Sequence, residues 1–69
     1  NKIDVIADQI ITRLEQNDGR LLLTDKSPPP VIYAEFGVSK KIFKQAVGAL
    51  YKNRRITLDP EGMSLNENN

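Results

Sequence analysis

FGVSKKIFKQAVGALYKNRR, residues 36–55, decides how this chain folds. Gly37 stops one helix, because a residue without Cβ accepts the left-handed conformation that ends a last turn. Val38 bridges to Ser39, whose hydroxyl is suited to capping the next helix, about 40–53. Wound at about 100° per residue, that helix separates into two faces. Ile42, Phe43, Ala46, Val47, Ala49 and Leu50 form the apolar arc, and Lys40, Lys41, Lys44, Gln45, Gly48, Tyr51 and Lys52 form the other. Two short helices joined by a brief turn containing glycine make a helix-turn-helix.

Upstream, Ser27 stands directly before Pro28-Pro29-Pro30. A capping hydroxyl followed by proline is a helix-start signal, since the first turn has no use for the missing N–H. A helix of about 28–36 follows, carrying Ile32, Tyr33 and Phe36, with Tyr33 expected at a helix-helix contact. The prolines do not form a polyproline ligand. Val31 stands where PxxP needs its second proline, and Tyr33 is one place too far for PPxY.

Further upstream, Ile3, Ile6, Ile10, Ile11 and Leu14 recur at helical spacing and predict an amphipathic helix of about 3–17. Asn17-Asp18-Gly19 ends it, and Leu21 to Thr24 reads as a short strand, about 21–24. Downstream, Ile56-Thr57-Leu58 and Met63-Ser64-Leu65 alternate around Asp59-Pro60-Glu61-Gly62, which predicts a hairpin of about 55–65. Asn66 to Asn69 reads as a frayed polar tail. The order helix, strand, helix, turn, helix, strand, strand is that of a small α+β winged helix, one domain over residues 1–69.

The chain has ten basic and nine acidic residues, a net charge of +1 that hides a strong asymmetry. Six of the ten, Lys40, Lys41, Lys44, Lys52, Arg54 and Arg55, lie in residues 39–55, which contain no acid. A concentrated basic element on a body of opposite sign is the electrostatic footprint of a phosphate binder. The expected contacts are these six with phosphates, with Gln45 and Tyr51 as weaker base contacts. For Tyr51, a ring packed at the core margin is the more ordinary reading. Gly48 costs about 1 kcal/mol in mid-helix relative to Ala. It serves either close approach of a ligand or close packing of a neighbouring segment.

Other chemistries find no support. With neither Cys nor His, the chain offers no thiolate, no imidazole base and no zinc site of the usual kind. Asp4, Asp8 and Asp25 have no evident partner, and no glycine-rich phosphate loop precedes a helix. The expectation is therefore no enzyme, no cofactor and no metal. No apolar run approaches the roughly 20 residues of a membrane span. Lacking both an initiator Met and a signal profile, the chain reads as a module cut from a longer cytoplasmic protein.

Residues 36–56, preceded by LTDKSPP, resemble the bacterial S1-domain proteins of the conserved virulence factor B type. The likeness runs from Leu21 to Leu65 and rests on DKSP (Asp25 to Pro28), FGVSKK (Phe36 to Lys41) and GALYK (Gly48 to Lys52). Pro29 and Pro30 depart from it, because members usually carry acids just after the first proline. The resemblance implies a C-terminal winged helix behind several S1-like, OB-fold domains, in a protein that binds RNA. RNA is thus the leading partner, alongside upstream S1-like domains of the same protein. Docking of the basic helix onto an acidic protein surface is the alternative. Double-stranded DNA comes third, because the two acids of the hairpin loop would repel its phosphates.

Overall fold

The computed structural model describes residues 1–66. Helix α1, Lys2–Gln16, starts at Asn1, whose Oδ1 accepts from the Asp4 N–H at 3.1 Å. It buries Ile6, Ile10, Ile11 and Leu14. Asp18 and Gly19 both take positive φ, 59° and 82°, and the Gly19 N–H returns to the Leu14 carbonyl at 2.7 Å. That bond gives a late carbonyl of α1 the partner its own helix cannot supply.

Strand β1 is only Arg20–Leu21, against the expected 21–24. It pairs with a strand near the far end of the chain, Arg20 opposite Ser64 and Leu21 opposite Met63. Leu22 turns into solvent (73 % exposed), while Leu23 returns to the core. The chain then closes a turn. The Lys26 N–H bonds to Thr24 Oγ1 at 3.0 Å and the Ser27 N–H to the Thr24 carbonyl at 3.0 Å.

Helix α2, Pro29–Phe36, corrects the capping assignment. Pro28 is the N-cap and makes no side-chain bond. The Ser27 hydroxyl instead accepts from the Thr24 N–H at 2.9 Å, so it holds the preceding turn. Only Ile32 of α2 is buried, and Gly37 ends the helix at φ +69°. Tyr33 does not join a helix-helix contact: it is 66 % exposed, because a helix this short has one buried line and Ile32 occupies it.

Helix α3, Lys40–Lys52, begins as the sequence predicts, with Ser39 Oγ accepting from the Ile42 N–H at 3.3 Å. It buries Phe43, Ala46, Val47 and Leu50. Phe43 meets Phe36 with ring centroids 5.4 Å apart, which fixes α2 against α3. Strands β2, Ile56–Asp59, and β3, Gly62–Leu65, form the hairpin, and the antiparallel sheet has the order β1-β3-β2. Ile10, Leu14, Ile32, Phe43, Ile56 and Met63 are fully buried, so all three helices and the sheet share one core. Three helices and a three-stranded wing make this a winged helix.

Asn66 is not frayed. Its N–H bonds to the Arg55 carbonyl and its Nδ2 to the Arg54 carbonyl, each at 2.9 Å. The rest of the expected tail lies outside the described residues.

Candidate nucleic-acid interface

The geometry of the basic surface follows from what α3 must bury. With Phe43, Ala46, Val47 and Leu50 turned inward, the opposite arc is left to water. Lys41, Lys44, Gln45, Gly48, Tyr51 and Lys52 are exposed on it and Lys40 is half-buried at its first turn. From Lys41 to Lys52 the face runs ~16 Å at 1.5 Å per residue.

Arg54 and Arg55 are positioned by the helix end rather than by the helix. The Arg55 N–H bonds to the Leu50 carbonyl at 2.9 Å and the Arg54 N–H to the Tyr51 carbonyl at 3.0 Å. This is the Schellman arrangement, whose left-handed position usually belongs to glycine. Here Arg54 occupies it at φ +59°. A side chain in that conformation costs roughly 1–2 kcal/mol. The two Asn66 bonds hold the same segment from the other side. Both arginines project, exposed, where α3 passes into the wing.

The distribution of ion pairs separates two kinds of arginine. Arg13 bridges α1 and α2: Nη1 pairs with the Glu35 carboxylate, Nη2 donates to the Glu35 carbonyl at 3.0 Å, and the guanidinium lies 4.9 Å from the Phe36 ring centroid. Arg20 spans the wing, donating to Asp59 Oδ2 at 2.7 Å, to Asp59 Oδ1 at 3.1 Å and to Ser64 Oγ at 2.9 Å. Among the described residues, none of the six cations of residues 39–55 has a side-chain ion pair. Their charge stays available to an outside anion.

The wing is less repulsive than its sequence implies. The two-pronged bond from Arg20, helped by the N–H groups of Glu61 and Gly62, lowers the Asp59 carboxyl from 3.8 to about 2. Asp59 therefore keeps its charge but shares it with a guanidinium held against it, and Glu61 alone is left unpaired among the described wing residues. No sequence signal marked this pair, because Arg20 and Asp59 are 39 positions apart.

Two further features of the face emerge only in three dimensions. Tyr51 is 57 % exposed. Among the described residues, a Cβ built on Gly48 would meet nothing within 4 Å, so no described segment packs there. Elsewhere, a hollow of about 420 Å³ between α1 and α2 is lined by Val5, Asp8, Gln9, Thr12, Arg13, Gln16 and Phe36, and includes none of the basic residues of α3. Among the described residues no group of three His, Cys, Asp or Glu could hold a metal ion. No described helix is long and apolar enough to cross a membrane.

Comparison with known proteins places this surface in context. A family model described as the CvfB-like winged helix domain matches residues 8–65. A conserved virulence factor B from Staphylococcus saprophyticus is 38 % identical over 66 residues, which are 96 % of this chain and 22 % of that protein. One from Staphylococcus aureus is 36 % identical over 64 residues, 93 % of this chain and 21 % of that protein. The chain thus spans about a fifth of the length of these relatives. A crystal structure of a multidomain protein with nucleic acid binding domains from Streptococcus pneumoniae superposes with a TM-score of 0.83 at 47 % identity, covering 86 % of this chain and 21 % of that one.

Proposed function

The chain belongs to the family of CvfB-like winged helix domains, and from that premise we propose that it binds nucleic acid, with RNA as the target. It acts by binding, not catalysis, as one module of a longer cytoplasmic protein that also carries S1-like domains. Lys40, Lys41, Lys44, Lys52, Arg54 and Arg55 meet phosphates, and affinity comes from counterion release. Sequence reading is slight, because α3 presents no arginine and only one amide, Gln45, on its exposed arc.

One observation carries this reading. Arg13 and Arg20 are consumed in ion pairs that hold the fold, whereas all six cations of residues 39–55 are left without one among the described residues. The description of the Streptococcus pneumoniae neighbour as having nucleic acid binding domains supports the same direction. RNA is favoured over duplex DNA because Glu61 remains unpaired at the wing tip, where a duplex-gripping wing would lay its loop along phosphates.

The test is an amide-shift NMR titration with single-stranded RNA and then duplex DNA, each at two salt concentrations. The expected result is salt-sensitive shifts concentrated in residues 39–55 and larger with RNA. In the double variant Lys40→Glu, Lys41→Glu, RNA affinity should fall roughly tenfold or more at low salt. The slope of log affinity against log salt should flatten by about 1.4, two phosphates at ~0.7 each. An unchanged affinity would remove the first turn of α3 from the interface.

A further inference from the structure

On the exposed arc of α3, Gly48 and Tyr51 lie one helical turn apart. A mid-helix glycine ordinarily repays its cost by letting another segment pack closely. That explanation fails, since the space above Gly48 is open. An exposed tyrosine in a helix ordinarily shields core or donates its hydroxyl to a partner. The Tyr51 hydroxyl has no hydrogen bond among the described residues, and more than half of the residue faces solvent. The bare backbone at Gly48 and the exposed Tyr51 side chain thus share one arc of α3, with Lys44 and Lys52 exposed along it.

A bare backbone on the same exposed arc as an aromatic ring has a definite chemical preference. A flat, π-faced ring can lie on the Gly48 backbone and against the tyrosine without displacing any side chain. The flanking ammonium groups would meet the phosphates on either side of that ring. A base inside a duplex is stacked on both faces and has none to offer, whereas an unpaired base does. We propose that Gly48 and Tyr51 form a stacking site for one unpaired base of single-stranded RNA. This rests on the phosphate-binding reading of α3 and narrows its substrate class from nucleic acid to single strands.

Tyrosine emission gives a direct readout, because the chain has two tyrosines and no tryptophan. Tyr33→Phe leaves Tyr51 as the only tyrosine, and Tyr33 is exposed on α2, so the change does not disturb the core. The probes are an unstructured oligouridine and a blunt RNA duplex. Oligouridine should quench Tyr51 emission, and the duplex should not. Tyr51→Leu should weaken oligouridine binding roughly 5- to 150-fold, keep its salt slope and leave duplex affinity unchanged. Gly48→Leu, which covers the bare backbone with a better helix former, should abolish the quench without lowering thermal stability. Salt-dependent oligouridine binding that is unquenched and indifferent to Tyr51→Leu would overturn the stacking site while sparing the phosphate-binding reading. No salt-dependent binding of either probe would overturn both and redirect the basic helix to an acidic protein partner.

Discussion

Alanine at two glycines of this chain should act with opposite signs. Gly48 lies in the interior of α3, where replacing glycine by alanine is worth about 0.8–1 kcal/mol through reduced backbone entropy in the unfolded chain. No described residue lies within 4 Å of the new methyl group, so no steric term offsets this gain. Gly62 opens β3 opposite Asp59 and is buried. A Cβ there would sit 2.1 Å from the Leu21 carbonyl oxygen and 3.1 Å from both the Leu21 carbonyl carbon and Leu22 Cα. These are backbone atoms, so no rotamer relieves the clash and β1 must move off β3. Such overpacking costs about 1–3 kcal/mol. In a domain of this size 1 kcal/mol moves the melting temperature by about 4–8 °C. Gly48→Ala should therefore melt about 4–8 °C above the parent, and Gly62→Ala below it by at least a similar interval. Thermal melts followed by far-ultraviolet circular dichroism, with urea midpoints at constant m-value, measure both. A Gly48→Ala variant that melts below the parent would refute the open surface above α3. A Gly62→Ala variant that melts with the parent would refute the close seat of β1 on the wing.

Two other perturbations separate fold from function. Arg54→Gly should raise stability by about 1 kcal/mol, because glycine accepts the φ of +59° that arginine tolerates at a cost. The same variant should lower the RNA salt slope by about 0.7, the share of one phosphate on a single strand; a gain in stability with an unchanged slope would show that Arg54 makes no contact. Acidification should loosen the wing. The Asp59 carboxyl is depressed to about 2 in the folded chain, chiefly by Arg20, so its stabilising effect is full above about pH 4 and is lost as pH falls through about 2. Melting temperatures between pH 6 and pH 2 should accordingly fall further for the parent than for Asp59→Asn, and parallel curves would count against the pair.

Binding by this domain need not be tight to matter. The staphylococcal relatives are about five times its length, and a weak module tethered to others gains effective concentration from the linkage. The proposed phosphate-binding face and stacking site suit such a role. They would add charge and one base contact to a strand already held elsewhere, with little sequence preference of their own.

What the sequence settled by itself are the features that depend on neighbours three or four residues away. The burial faces of α1 and α3, the Ser39 cap, the Gly37 stop and the clustering of six cations are all of this kind. Each is fixed by helical periodicity or by a single side chain reaching its own turn. What only the tertiary structure decided are the matters where distant segments compete for the same group. The Ser27 hydroxyl could have capped α2, but the turn at Thr24 took it. Strand β1 is limited to the two residues, Arg20 and Leu21, that pair with Ser64 and Met63 of β3. The charge of Asp59 is held chiefly by an arginine 39 residues away, and Gly48 stays bare because no described segment folds over it. Local pattern specifies the shape of an element. Which of its surfaces remain open is decided only when every other element has chosen where to pack.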